Sequence, residues 1–132
     1  FGEKKRPAPQ KRIDCLIGAG TTVRGDIVFA GGLRIDGVVK GNVNAEDGQP
    51  SMLVLSENAR IEGSVRASHL VLNGTVVGPV TGDDLIELQS KARITGDVRY
   101  KSLEIQQGAV VEGQLSHLDD NRPGLKLAAS ND

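Results

Sequence analysis

Residues 53–65, LVLSENARIEGSV, hold the pattern that decides the fold. Two apolar residues two apart, Leu53 and Leu55, lead into a polar corner. An apolar residue, a glycine and a second apolar residue follow: Ile61, Gly63 and Val65. Alternation with a period of two places one side of a short extended segment inside and the other outside. The stretch is too short and too regularly interrupted for an amphipathic helix.

The same grammar returns along most of the chain. The apolar pair recurs as Cys15 and Ile17, Leu33 and Ile35, Leu70 and Leu72, Ile86 and Leu88, and Leu103 and Ile105. The glycine element recurs as VRGDI (23–27), VKGNV (39–43), VVGPV (76–80), ITGDV (94–98) and VEGQL (111–115). Six units therefore begin at residues 15, 33, 53, 70, 86 and 103, which are 18, 20, 17, 16 and 17 apart. A period near 17 made of short strands indicates a solenoid. The expected fold is all-β, a single-domain parallel β-helix of about six turns.

The corners have their own regularity. From the last residue of each pair to the motif glycine is eight residues in four units and six in two. The short corners hold Asp36-Gly37 and Asn73-Gly74, dipeptides expected to turn tightly with a positive φ. The equivalent point of the long corners carries Gly20, Asn58, Lys91 and Gly108, and only Lys91 departs from residue types that accept a left-handed backbone. Glu46 to Ser51, EDGQPS, is the largest interruption and is expected to bulge from one corner. Pro79 follows a motif glycine and, lacking a donor, is expected to weaken pairing there.

Composition agrees with a narrow coil. Aromatic residues make up 2% of the 132, while Val, Ile, Leu and Gly dominate, as suits an interior that admits only aliphatic side chains. The division of charge is uneven. Residues 1–12 carry Lys4, Lys5, Arg6, Lys11 and Arg12 against Glu3, a net of +4, leaving −5 elsewhere for a total of −1. With Pro7 and Pro9, this stretch is expected to be a disordered basic tail, an address for an anionic surface. Residues 13–118 form the expected β-helix domain. Residues 119–132 form a second disordered tail, with at most a short docked segment around Leu125 to Leu127.

Sites for chemistry are few. Cys15, the sole cysteine, falls on an inward position and is expected to act as a small core hydrophobe. Arg24-Gly25-Asp26 coincides with the structural glycine element, and Asn73-Gly74-Thr75 falls on a turn in a chain with no visible export signal. Asp83 and Asp84 lack converging ligands and fit a solvated corner. His69 and His117 have no sequence partners, and GAGTTVRG (18–25) lacks the Gly-Lys-Ser/Thr that grips phosphates. No cofactor, metal or small-molecule substrate is expected. A hexapeptide-repeat acyltransferase fits the unit length, but the alternating gaps break a constant sixfold register. A monomeric adaptor binding nucleic acid through the basic arm is the other alternative.

A parallel coil ends in a whole turn of unpaired backbone groups, and no capping helix is visible at either end. The first and last turns should therefore contact further copies. The expected polymer interface comprises Cys15, Ile17, Val23 and Ile27 at one end and Leu103, Ile105, Val111 and Leu115 at the other.

IDCLIGAGTTVRGDI (13–27), LVLNGTVVGPV (70–80) and ITGDVRYKSLEIQQGAVVEGQL (94–115) resemble the bactofilins, bacterial cytoskeletal proteins, across residues 13–118. The resemblance implies a right-handed β-helix of triangular section between disordered tails. It also implies non-enzymatic, nucleotide-free polymerisation into non-polar filaments. Family members attach to the inner face of the cytoplasmic membrane through a short N-terminal segment, to which Phe1, Lys4, Lys5 and Arg6 are similar. This would make the protein cytoplasmic and peripheral to that membrane, with cell-wall enzymes or chromosome-positioning proteins as partners.

Overall fold

A computed structural model describes residues 12–118. They contain sixteen strands, Cys15–Ile17 through Leu115–His117, and no helix. Every strand pairing is parallel, and each strand pairs with the equivalent strand one turn away, so the chain winds through six turns. At about 4.8 Å per turn the stack is roughly 28 Å long.

The register divides each turn into three faces. The first face holds Cys15–Ile17, Gly31–Ile35, Ser51–Leu55, the later parts of Val65–Leu72 and Val80–Leu88, and Leu103–Ile105. The second holds Thr22–Arg24, Val38–Lys40, Arg60–Glu62, Thr75–Val77, Arg93–Thr95 and Val110–Glu112. The third holds Ile27–Phe29, Val43–Ala45, the earlier parts of the two long strands, Val98–Tyr100 and Leu115–His117. The two long strands run round the corner between third and first faces. In the second of them the register shifts between Gly82 and Leu85, and Asp83 and Asp84 occupy the shift.

Because each turn repeats the last, inward side chains form files along the axis. Leu33, Leu53, Leu70 and Ile86 make one such file and Val39, Ile61, Val76 and Ile94 another, all at 0–1% exposure. Dry aliphatic packing of this kind contributes about 1.5 to 3 kcal/mol for each large side chain fully buried. One inward file is large toward its ends and small between them: Phe29, Ala45, Ala67, Gly82, Tyr100. Gly82 is required there because a Cβ would stand 2.3 Å from Cγ1 of Ile86.

Three sequence expectations need correction. Gly37 and Gly74 are not among the positive-φ glycines. Their need is for space, since a Cβ on Gly37 would lie 2.3 Å from the Thr21 carbonyl oxygen and one on Gly74 2.3 Å from that of Ser56. At the long corners the expectation holds for Gly20 and Gly108, with φ of 92° and 106°. These are third residues of β-turns closed by Thr21 N–H to Gly18 O and Ala109 N–H to Gln106 O. Lys91 holds the same place in its turn and donates its backbone N–H to Asn73 Oδ1 at 2.9 Å.

Pro79 weakens nothing, for it stands between strands at a corner whose amides follow a different plan. After three of the six motif glycines, Gly25, Gly41 and Gly96, an Asx side chain accepts a backbone N–H of the next turn. Asp26 Oδ1 accepts from Asn42, Asn42 Oδ1 from Ser64, and Asp97 Oδ1 from Gln114, at 2.8–3.0 Å. Ser64 lacks such an acceptor, and the following residue in that file is Pro79, which needs none. The Pro79 carbonyl still accepts from Val65 N–H at 2.9 Å.

Cys15 is the third correction. It pairs with Leu33 and shares its inward phase, yet it is exposed. Among the described residues no earlier turn lies over it. The insertion behaves as expected as far as Pro50, but Ser51 already belongs to a strand and is 3% exposed. It is held by reciprocal bonds: Ser68 Oγ accepts from Ser51 N–H at 3.2 Å and Ser51 Oγ accepts from Ser68 N–H at 2.9 Å.

Candidate self-assembly interface

Among the described residues, each strand of the first turn pairs on one side only, with the second turn, and each strand of the last turn only with the fifth. The outer edges of Cys15–Ile17, Thr22–Arg24 and Ile27–Phe29 thus present backbone donors and acceptors at one end of the stack. Leu103–Ile105, Val110–Glu112 and Leu115–His117 do so at the other. The backbone at both ends is already extended and in register, so the edges are shaped to continue a ladder.

Side chains at the ends tell the same story. Ile35, Leu55, Leu72 and Leu88 are 0–1% exposed, whereas Ile105 at the end of their file is 49% exposed. Val43, Val65, Val80 and Val98 are likewise 0–1% exposed and Leu115 is 46%. Ile17, Val23, Ile27, Leu103 and Val111 are half-buried, packed on the core from one side. The eight residues singled out from the sequence therefore occupy two apolar ends, four at each.

The C-terminal end also carries an aromatic contact not foreseen from the sequence. His117 stands edge-on to Tyr100, with ring centroids 5.6 Å apart, and its Nε2 lies 3.1 Å from the Lys101 carbonyl oxygen. The two rings close the file that Phe29 opens at the other end. The spacing could have revealed this, because His117 follows Leu115 by two and so takes its inward phase.

Elsewhere the polar groups serve the coil. Ser56 donates its hydroxyl to Asp36, and Arg34 Nε donates to the same carboxylate at 2.9 Å. Both contacts hold Asp36 below the usual carboxylate range, the Ser56 bond most. The Arg60 hydrogen bond does the same for Glu62. Asp83 bonds Arg66 at 3.1 Å and raises its pKa, while His69 Nε2 lies 2.7 Å from Glu87. The sequence missed these partners because they lie 17 and 18 residues away, one turn along the axis. A recess of about 460 Å³ lies over the first corner beside Arg34, Asp36, Ser56 and Asn58.

A family profile described as "Bactofilin: Polymer-forming cytoskeletal" matches residues 15–116. The chain belongs to the bactofilin family. Two bactofilins of Myxococcus xanthus (strain DK1622) are similar to it. BacO is 25% identical over 100 residues, covering 76% of this chain and 76% of BacO. BacP is 27% identical over 106 residues, covering 79% of this chain and 44% of BacP, so the chain spans less than half of that relative. No solved structure matches it. The family is a structural, polymer-forming one, and the matched residues run from the first turn to the last. Phe1, Lys4, Lys5 and Arg6 lie outside the described residues, as do Leu125 to Leu127. No helix among the described residues is long and apolar enough to cross a membrane.

Proposed function

We propose that this bactofilin is a non-enzymatic structural subunit that stacks end to end, without nucleotide, into non-polar filaments. The observation that carries the reading is the pair of apolar ends, uncovered among the described residues, where inward files that are dry in the interior emerge at Ile17 and Ile27 on one end and at Ile105 and Leu115 on the other. Covering four half-buried or exposed apolar residues on each of two facing ends contributes about 6 to 12 kcal/mol at half the full-burial value. Association costs roughly 4 to 15 kcal/mol. Apolar contact alone is therefore marginal, and the unpaired strand edges supply the remainder. Two-fold joints, first turn to first turn and last turn to last turn, make the filament non-polar.

The filament would lie in the cytoplasm at the inner face of the membrane, attached through Phe1, Lys4, Lys5 and Arg6. There it would act as a scaffold for cell-wall enzymes or chromosome-positioning factors. Negative-stain electron microscopy of the pure protein without nucleotide tests the assembly: filaments are expected. Compact trimers would support the acyltransferase alternative, and small particles the monomeric adaptor.

A further inference from the structure

The outward side of the first face is unlike the other two. Its central file runs Leu16, Arg34, Val54, Val71, Glu87, Glu104, each paired with the next across adjoining turns. Beside Val54 and Val71 stand Met52 and Leu85, also half-buried. The two middle turns of this face thus present an uncharged apolar centre, with His69 as their one titratable group. On the second face the outward Val38, Val77 and Val110 stand among Arg24, Lys40, Arg60, Glu62, Arg93 and Glu112. On the third face Val28 is the one large apolar residue in a file with Arg66 and Arg99, so desolvation of charge opposes close packing on both.

Arg34 lies one turn before the Val54–Val71 centre and Glu87 one turn after it. That placement is self-complementary for only one arrangement of two copies. A two-fold axis lying in the contact plane along the strands, midway between Val54 and Val71, puts Val54 on Val71. The same operation sets Arg34 against Glu87 twice over. An axis along the stack would set Arg34 on Arg34 and Glu87 on Glu87. We infer that the first face is a lateral contact for a second copy of this chain, with the two stacks antiparallel.

The polar groups around the centre permit this. The Arg34 side chain is 49% exposed and bonded to Asp36 through Nε, while its guanidinium carries further N–H donors. Glu87 is 30% exposed and keeps its contact with His69, which would face Met52 of the second copy. The face is roughly 24 Å tall and little more than 10 Å wide. It offers a few hundred Å² per copy, against about 800 Å² for a stable pair of free subunits. The contact gains lasting strength only when repeated along two stacks. This inference rests on the filament reading, and antiparallel pairing suits filaments that have no polarity.

Two-speed sedimentation with charge exchange decides it. Wild type is expected to pellet at low speed as paired and bundled filaments. Arg34→Glu and Glu87→Arg should each lose the low-speed pellet and keep the high-speed one, and the double variant should regain it. Raised salt should shift wild type toward the high-speed pellet alone. Low-speed pelleting that survives either single reversal, or that the double variant fails to restore, overturns the inference. So does wild type that pellets only at high speed, which leaves the filament reading intact. Pelleting at neither speed removes both.

Discussion

Gly63 rests on Gly41 so closely that a Cβ on Gly63 would stand 2.1 Å from the Gly41 carbonyl oxygen. Gly78, Gly96 and Gly113 repeat the relation one turn further each time, at 2.1–2.4 Å. Gly63 also has a φ of 157°, within the range that side chains rarely adopt. Gly63→Ala should therefore lower stability by about 2 to 4 kcal/mol, combining overpacking with backbone strain. Gly18→Ala is the control, since nothing lies within 4 Å of its Cβ position. Thermal melts of the two variants check this; equal melting temperatures would mean that the glycine column does not set the approach of the turns.

Position along an inward file should decide what a substitution damages. Leu72 is 0% exposed and packed by turns on both sides, so Leu72→Ala should cost roughly 2 to 5 kcal/mol and appear as a lower melting temperature. Ile105→Arg and Leu115→Arg place a charge on a surface already half open, and should leave a folded β-rich protein that no longer polymerises. Circular dichroism and sedimentation together separate the outcomes. Polymer that survives either arginine would show that the last turn is not a joint.

Acid should loosen the first corner. Asp36 is held below its ordinary value of 3.8 by Ser56 and Arg34. A depressed folded-state pKa stabilises fully above the unfolded value, and that contribution disappears as pH falls through the folded value. Below about pH 4 the wild type should lose melting temperature faster than Asp36→Asn, which cannot ionise but keeps an acceptor for Ser56. Glu62 is shifted the same way by Arg60, so the variant should flatten only part of the slope. Parallel pH profiles would remove Asp36 from the account.

Membrane attachment should depend on assembly. Burying Phe1 contributes about 1.5 to 3 kcal/mol. Each basic residue near an anionic surface adds about 1 kcal/mol before screening and ordering costs. That leaves a lone subunit mostly free, whereas arms repeated along a filament act together. In liposome co-sedimentation, wild type should bind at moderate salt. The Leu115→Arg variant, a deletion of residues 1–12, and wild type at high salt should not. Equal binding by Leu115→Arg would defeat the dependence on assembly, and binding by the deletion would move the contact elsewhere.

The coil was legible because its cause is periodic: inward pairs such as Leu53 and Leu55 return at nearly fixed spacing, and that spacing sets the register between turns. The two apolar ends followed from the same count, since the first and last members of any stack lack a neighbour. What stayed hidden depends on contacts one turn away. Nothing near Gly37 in the sequence says that the Thr21 carbonyl occupies its Cβ position. Nothing near Glu87 names His69 as its partner. Pro79 looked disruptive because a proline is judged locally by the donor it lacks, whereas here the preceding turn offers Ser64 and no Asx acceptor. Cys15 was placed in the right file, but its exposure is set by where the file stops.

The winding of the chain has a mechanical consequence. Within a subunit, every boundary between turns is crossed by covalent backbone as well as by hydrogen bonds and packed side chains. A joint between subunits would have only the last two. Under tension, a stack of such subunits must therefore part at the joints, shedding intact subunits and never splitting one. Each break exposes a first or last turn identical to the one that grew the stack, so a torn filament is left with ends fit to anneal again.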